Sequence, residues 1–148
     1  MSTNKTTRRP SAAGHADTTV ETQSAMQFGL LPSEQVYGNV HFLTGGTRLR
    51  EAIAIKHAMH QFPLTLEFHT TADGKEQFLS GVPVTIRAST GEIAFRTLAA
   101  GPFLLARLRP GQYEVIAEHD GQVQTQKVEI RANGGDHLVF QWGIAQAV

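Results

Sequence analysis

Seven histidines are the main concentration of side chains able to do chemistry in this chain. His57 and His60 stand three apart, close enough on a helix to share a face and hold a metal weakly. No carboxylate occupies the spacing of a His-Glu-x-x-His zinc motif, and a solvated helix face accounts for the same pair. His41 and His69 fall on the polar faces of two expected strands. Were those strands neighbours, the imidazoles would approach to about 5 Å and share a metal; two unrelated exposed histidines are the competing reading. His119 and His137 flank expected turns. These four residues, His41, His57, His60 and His69, are the metal candidates, and the residues call for no cofactor.

Other chemistries find less support. Asp73, Asp120 and Asp136 each adjoin a glycine, but a calcium loop needs several oxygens in one loop, so turn formation explains them. There is no Gly-x-Ser-x-Gly elbow. The pairs Gly45-Gly46 and Gly134-Gly135 lack the Lys-Ser or Lys-Thr of a phosphate loop. Gly45-Gly46 ahead of a helix offers free N–H groups to an anion, or simply turns a strand into that helix. No catalytic set is visible.

The elements that must position these residues are mostly strands. The chain has 148 residues, 41% hydrophobic and 18% charged, enough for one packed domain. Thirteen basic and thirteen acidic side chains cancel, which leaves no electrostatic footprint for nucleic acid. Cysteine is absent, excluding disulfides, thiolate nucleophiles and cysteine-built zinc sites. No window approaches the roughly 18 apolar residues of a membrane-spanning helix. The start shows a basic beginning without the apolar segment of a secretory signal, so a cytoplasmic location stays open.

Residues 1–35 read as a polar tail with a short apolar knot at Phe28, Leu30 and Leu31; residues 36–148 read as one domain. "VYGNVHFLTGG" is a short strand. From about 47 to 62, Leu49, Ala52, Ile53, Met59 and Phe62 recur at helical spacing, with Thr47 as N-cap and Pro63 as stop. Beyond that the period falls to two. Leu64, Leu66 and Phe68 alternate with Thr65, Glu67 and His69; Val82, Val84 and Ile86 share a face, as do Ile93 and Phe95. "PFLLARL" is apolar on both faces, the mark of a central strand. Leu138, Phe140 and Trp142 close the series. Short strands separated by Gly, Pro and Asp predict a mainly β sandwich rather than a parallel α/β sheet.

Two turn signals bracket one of these strands. Pro110-Gly111 precedes Tyr113, the arrangement of a tyrosine corner whose phenol bonds backbone upstream. Asp120-Gly121 suits a two-residue hairpin loop, where both residues take positive φ.

The run "LSGVPVTIRASTGEIAFRTLAAGPFLLARLRPGQYEVIAEHDGQVQTQKVEI" resembles the carboxypeptidase regulatory-like domains, which share a transthyretin-like Greek-key sandwich. "GVPVTI", "TGE" and "LRPGQYEVIAEHDGQ" carry the likeness, and Tyr37 to Trp142 resembles a small bacterial, exported form. The resemblance implies a Greek-key sandwich of about seven strands and a periplasmic or secreted, non-catalytic module. The hydrolase of 5-hydroxyisourate, an enzyme of this fold, ends in Tyr-Arg-Gly-Ser, whereas this chain ends "GIAQAV". Intradiol dioxygenases use two Tyr and two His on iron; the two tyrosines here are Tyr37 and Tyr113, the latter already assigned to a corner.

Two functional readings follow. The first is a binding or assembly module that contacts protein or glycan through a sheet edge or loop, with a homo-oligomer through an edge strand as one form. Its candidate edge is "QVQTQKVEIRA", polar on one face at Thr125, Lys127, Glu129 and Arg131. The alternative is a metal-binding or hydrolytic enzyme using the histidines.

Overall fold

A computed structural model describes residues 30–143; most of the expected tail lies outside them. Ten strands and one helix follow in order: β1 (Gln35–Tyr37), β2 (Val40–Gly45), α1 (Leu49–Ala58), β3 (Leu64–Ala72), β4 (Lys75–Phe78), β5 (Val82–Ala88), β6 (Ile93–Ala99), β7 (Phe103–Arg107), β8 (Gly111–His119), β9 (Gln122–Ile130) and β10 (Asp136–Trp142). One sheet runs β1-β2-β7-β3-β10, with β4 also paired to β3; the other runs β6-β5-β8-β9. The strand count exceeds the expected seven. A positive-φ turn at Gly38 folds "VYGNVHFL" into the hairpin β1–β2, and Asp73-Gly74 folds out β4.

The two sheets pack face to face over one core. Leu64, Leu66 and Phe68 of β3 meet Val82, Val84 and Ile86 of β5, Val115 and Ala117 of β8, and Phe140 and Trp142 of β10. Period-two alternation therefore translates directly into burial, at about 1.5–3 kcal/mol for each large side chain withdrawn from water. Ile93 departs from the expectation: Phe95 is fully buried, but Ile93 is 41% exposed. A register shift at Ile86/Arg87 pairs Ile93 with the outward Arg87, so the bulge turns it to the opposite face.

A second cluster explains why β7 is apolar on both sides. Leu104 and Ala106 face the sandwich core, while Phe103 and Leu105 face Ala54, Ile55 and Ala58 of α1. Leu31 is buried there too, and Leu30 packs against it; Phe28 lies outside the described residues. The helix is shorter than expected, Leu49–Ala58 followed by a 3-10 turn at Met59–Gln61, and Arg48 rather than Thr47 holds the N-cap position without a side-chain bond. Its buried face also differs, since Leu49 and Ile53 are exposed. The start explains both points: Gly46 N–H donates to Glu51 Oε1 at 2.6 Å, fixing the helix rotation. Ala54 and Ala58 are then small enough to let the helix lie close on the sheet.

Gly45-Gly46 thus turns a strand into a helix with one free N–H already taken by Glu51. A Cβ on Gly101 would lie 2.5 Å from the Gly45 carbonyl carbon, so two backbones touch where β2 ends beside the approach to β7.

Candidate functional site

The four metal candidates do not converge. His41 lies on β2 and His69 on β3, but β7 runs between those strands. His41 is level with Arg107, whereas His69 lies five residues beyond Leu64, which pairs with Ala106. Strand spacing and rise then separate the two by roughly 20 Å, not the expected 5 Å. His41 is exposed, 3.9 Å from Glu34, which also bonds Arg107 at 3.1 Å. His57 ends α1 and His60 belongs to the 3-10 turn, both exposed. No group of three or more His, Cys, Asp or Glu side chains able to hold a metal occurs among the described residues.

What the fold brings together instead is a carboxylate between two imidazoles. The strand β10 lies parallel to β3, with His137 beside Thr65 and Gln141 beside His69. On the face that α1 leaves open, Glu67 Oε2 meets His69 Nε2 at 2.6 Å and Glu67 Oε1 meets His137 Nε2 at 2.7 Å. A carboxylate only accepts, so each ring donates through Nε2–H, a tautomer assigned from the partners. His69 is buried between Glu67 and the Phe78 ring, 5.0 Å away. Its Nδ1 is buried without a hydrogen-bond partner, and Glu76 Oε2 lies 3.9 Å off.

Glu67 thus ties β3 to β10, each of its two carboxylate oxygens accepting from one ring. Neither imidazole is bonded to a hydroxyl among the described residues, so the group has the base and orienting carboxylate of a nucleophilic site but not its nucleophile. Alternation alone shows Glu67 and His69 sharing a face. His137 was out of reach of that reading, because nothing in the spacing announces a parallel β10.

Of the residues singled out for architecture, Pro110, Gly111 and Tyr113 sit where β7 of one sheet hands over to β8 of the other, and Asp120 and Gly121 at the β8–β9 turn. Tyr113 Oη donates to the Arg109 carbonyl at 2.8 Å, bracing the link that contains Pro110. A Cβ on Gly111 would stand 3.6 Å from the Tyr113 ring. Burial raises the Tyr113 phenol above its ordinary 10.0, the Arg109 charge working against the rise. Asp120 and Gly121 take φ of 51° and 75°, closing the β8–β9 hairpin with no extra residue. His119, beside that turn, packs edge-on against Trp142 at 5.6 Å.

That hairpin leaves β9 at the end of its sheet, paired to β8 alone. In a two-residue hairpin the flanking pair His119 and Gln122 exchanges hydrogen bonds, and every second pair after it does so. Gln122, Gln124, Gln126 and Val128 therefore direct backbone groups to β8. Val123, Thr125, Lys127 and Glu129 direct theirs outward. The neighbouring edge, β10, is treated differently: Gln126 Nε2 donates to the Val139 carbonyl at 2.8 Å and Gln124 Nε2 to the Gln141 carbonyl at 2.7 Å. Trp142 Nε1 returns a bond to the Gln122 carbonyl at 3.0 Å. One edge is stitched shut by side chains of the other.

A cleft of about 480 Å³ opens on the outer face beside β9, lined by Arg87, Gln112, Tyr113, Glu114, Lys127 and Glu129 among others. Register aligns Arg87, Glu114 and Lys127 across three strands. No family model matches this chain, and no curated protein matches it.

Proposed function

We propose that this chain is a non-catalytic binding and assembly module of the carboxypeptidase regulatory-like type, which takes a partner's extended segment as an added strand on β9. The observation that carries the reading is the asymmetry of one flank of the sandwich. The carbonyls of Val139 and Gln141 on β10 are occupied by glutamine side chains, while the outward backbone groups of Val123, Thr125, Lys127 and Glu129 meet no strand among the described residues. A nine-residue strand whose four outward-directed residues leave their N–H and C=O groups unpaired is a template for strand addition, and the cleft alongside offers room for a side chain of the incoming segment. The likeness of Leu79–Ile130 to exported relatives supports action in the periplasm or outside the cell.

Thr125→Pro tests this directly. Its N–H points away from β8, so proline there spares the β8–β9 ladder but blocks an added strand. Decapeptides selected from a displayed random library on the wild-type protein should lose binding to the variant. Peptides that bind both proteins equally, or a library that yields none, would contradict the proposal.

A further inference from the structure

We infer that the occupant of the β9 edge is β9 of a second copy, antiparallel about a two-fold axis at Val128; the inference rests on the edge reading above. Residues that point backbone groups outward can pair only with residues that do the same, so the permitted registers join odd positions with odd positions. On the solvent face those positions carry Val123, Thr125, Lys127, Glu129 and, just past the strand, Arg131.

Charge selects among the registers. Centred on Lys127, the pairing sets lysine against lysine. Centred on Glu129, it sets glutamate against glutamate and Lys127 against the partner's Arg131. Centred on Val128, it sets Lys127 against the partner's Glu129 and Glu129 against the partner's Lys127, with Thr125 facing Arg131 at both ends. Centred on Ile130, the pairing also sets Glu129 against the partner's Arg131 twice, but Lys127 then faces the partner's Asn133 in the turn and Arg131 lies past the strand. The Val128 register is the one that opposes unlike charges twice with both members inside β9, and a two-fold contact gains every favourable pair in duplicate. Registers shifted toward Val123 oppose charged residues only to neutral ones.

The local environment agrees with that choice. Lys127 has no ion-pair partner among the described residues, and Glu129 has only a loose contact to Arg131 at 3.8 Å. Lys127 and Glu129 both line the 480 Å³ cleft, so pairing brings two such clefts together across the axis. On the inward side Val128, partly buried against the core, faces the partner's Val128. The result is one continuous eight-stranded sheet made from two four-stranded ones.

Sedimentation equilibrium on the full chain tests this. The wild type should form a dimer. Lys127→Glu and Glu129→Lys, each placing like charges opposite one another twice, should each raise the dissociation constant about tenfold or more. An equimolar mixture of the two single variants should form a heterodimer, and the double variant K127E/E129K should regain the wild-type dimer. A wild type that stays monomeric, or single variants that dimerise unchanged, or a mixture without heterodimer, overturns the inference. Library peptides lost on Thr125→Pro but present on a monomeric wild type would show that the edge takes a foreign strand; loss of both results would sink the edge reading as well.

Discussion

Replacing Tyr113 by phenylalanine keeps the ring and removes one hydrogen bond at the crossing between the sheets. That bond, 2.8 Å to the Arg109 carbonyl, braces the three-residue link between β7 and β8. The contact is exposed, so the carbonyl left behind turns to water. The loss is therefore the net value of a hydrogen bond, about 0.5–1.5 kcal/mol, and not the larger penalty of a buried orphan. For a domain of this size it lowers the melting temperature by roughly 3–6 °C. The pH dependence gives a second, independent signature. Burial raises the folded-state pKa of the phenol above 10.0, so above that pH the unfolded chain releases the proton first. The contribution of Tyr113 is complete below pH 10.0 and is lost as pH rises through the folded value. Urea unfolding of both proteins should show a constant stability gap from about pH 7 to 9 that narrows above about pH 10. Equal stability at neutral pH, or a gap that widens in alkali, would refute the corner and the burial argument together.

Two further substitutions probe the sheet. Glu67→Gln replaces one of two acceptors by an amide that donates, so His69 or His137 loses its partner; urea unfolding should register about 1–2 kcal/mol, and an unchanged midpoint would show that the carboxylate holds neither ring. Gly101→Ala drives a methyl into the Gly45 carbonyl, which should cost about 2–3 kcal/mol and roughly 10 °C in melting temperature, read by calorimetry; a melting temperature within a degree or two of wild type would mean that the two backbones part easily.

The inward residues of β3, β5 and β10 were legible because alternation reports which face is buried, whichever strand lies alongside. The order of strands was not. His41 and His69 both sit on strands of one sheet, yet β7, some sixty residues along the chain from β2, inserts between them. The same blindness hid Glu67 as the link between two histidines, since a parallel β10 leaves no mark in spacing. In the helix, apolar periodicity favoured Leu49 and Ile53, whereas Glu51 bonding Gly46 rotated Ala54, Ile55 and Ala58 onto the sheet. Alternation alone gives Gln124 and Gln126 no role; it appears only once β10 lies beside β9. The hairpin and the corner were legible because they depend on local turn chemistry at Asp120-Gly121 and Pro110-Gly111, whereas the edge strand was suggested only by the polar face of β9 and rests on the strand order.

The most direct test of the edge is amide hydrogen exchange resolved by residue along β9, followed as protein concentration rises. In dilute solution Gln124, Gln126 and Val128, bonded to β8, should exchange slowly, while Val123, Thr125, Lys127 and Glu129 exchange fast. On association the fast set alone should gain protection. Amides at Thr125, Lys127 and Glu129 that are already protected in the dilute monomer, or that stay fast in every associated state, would contradict the claim that β9 is where this module is completed.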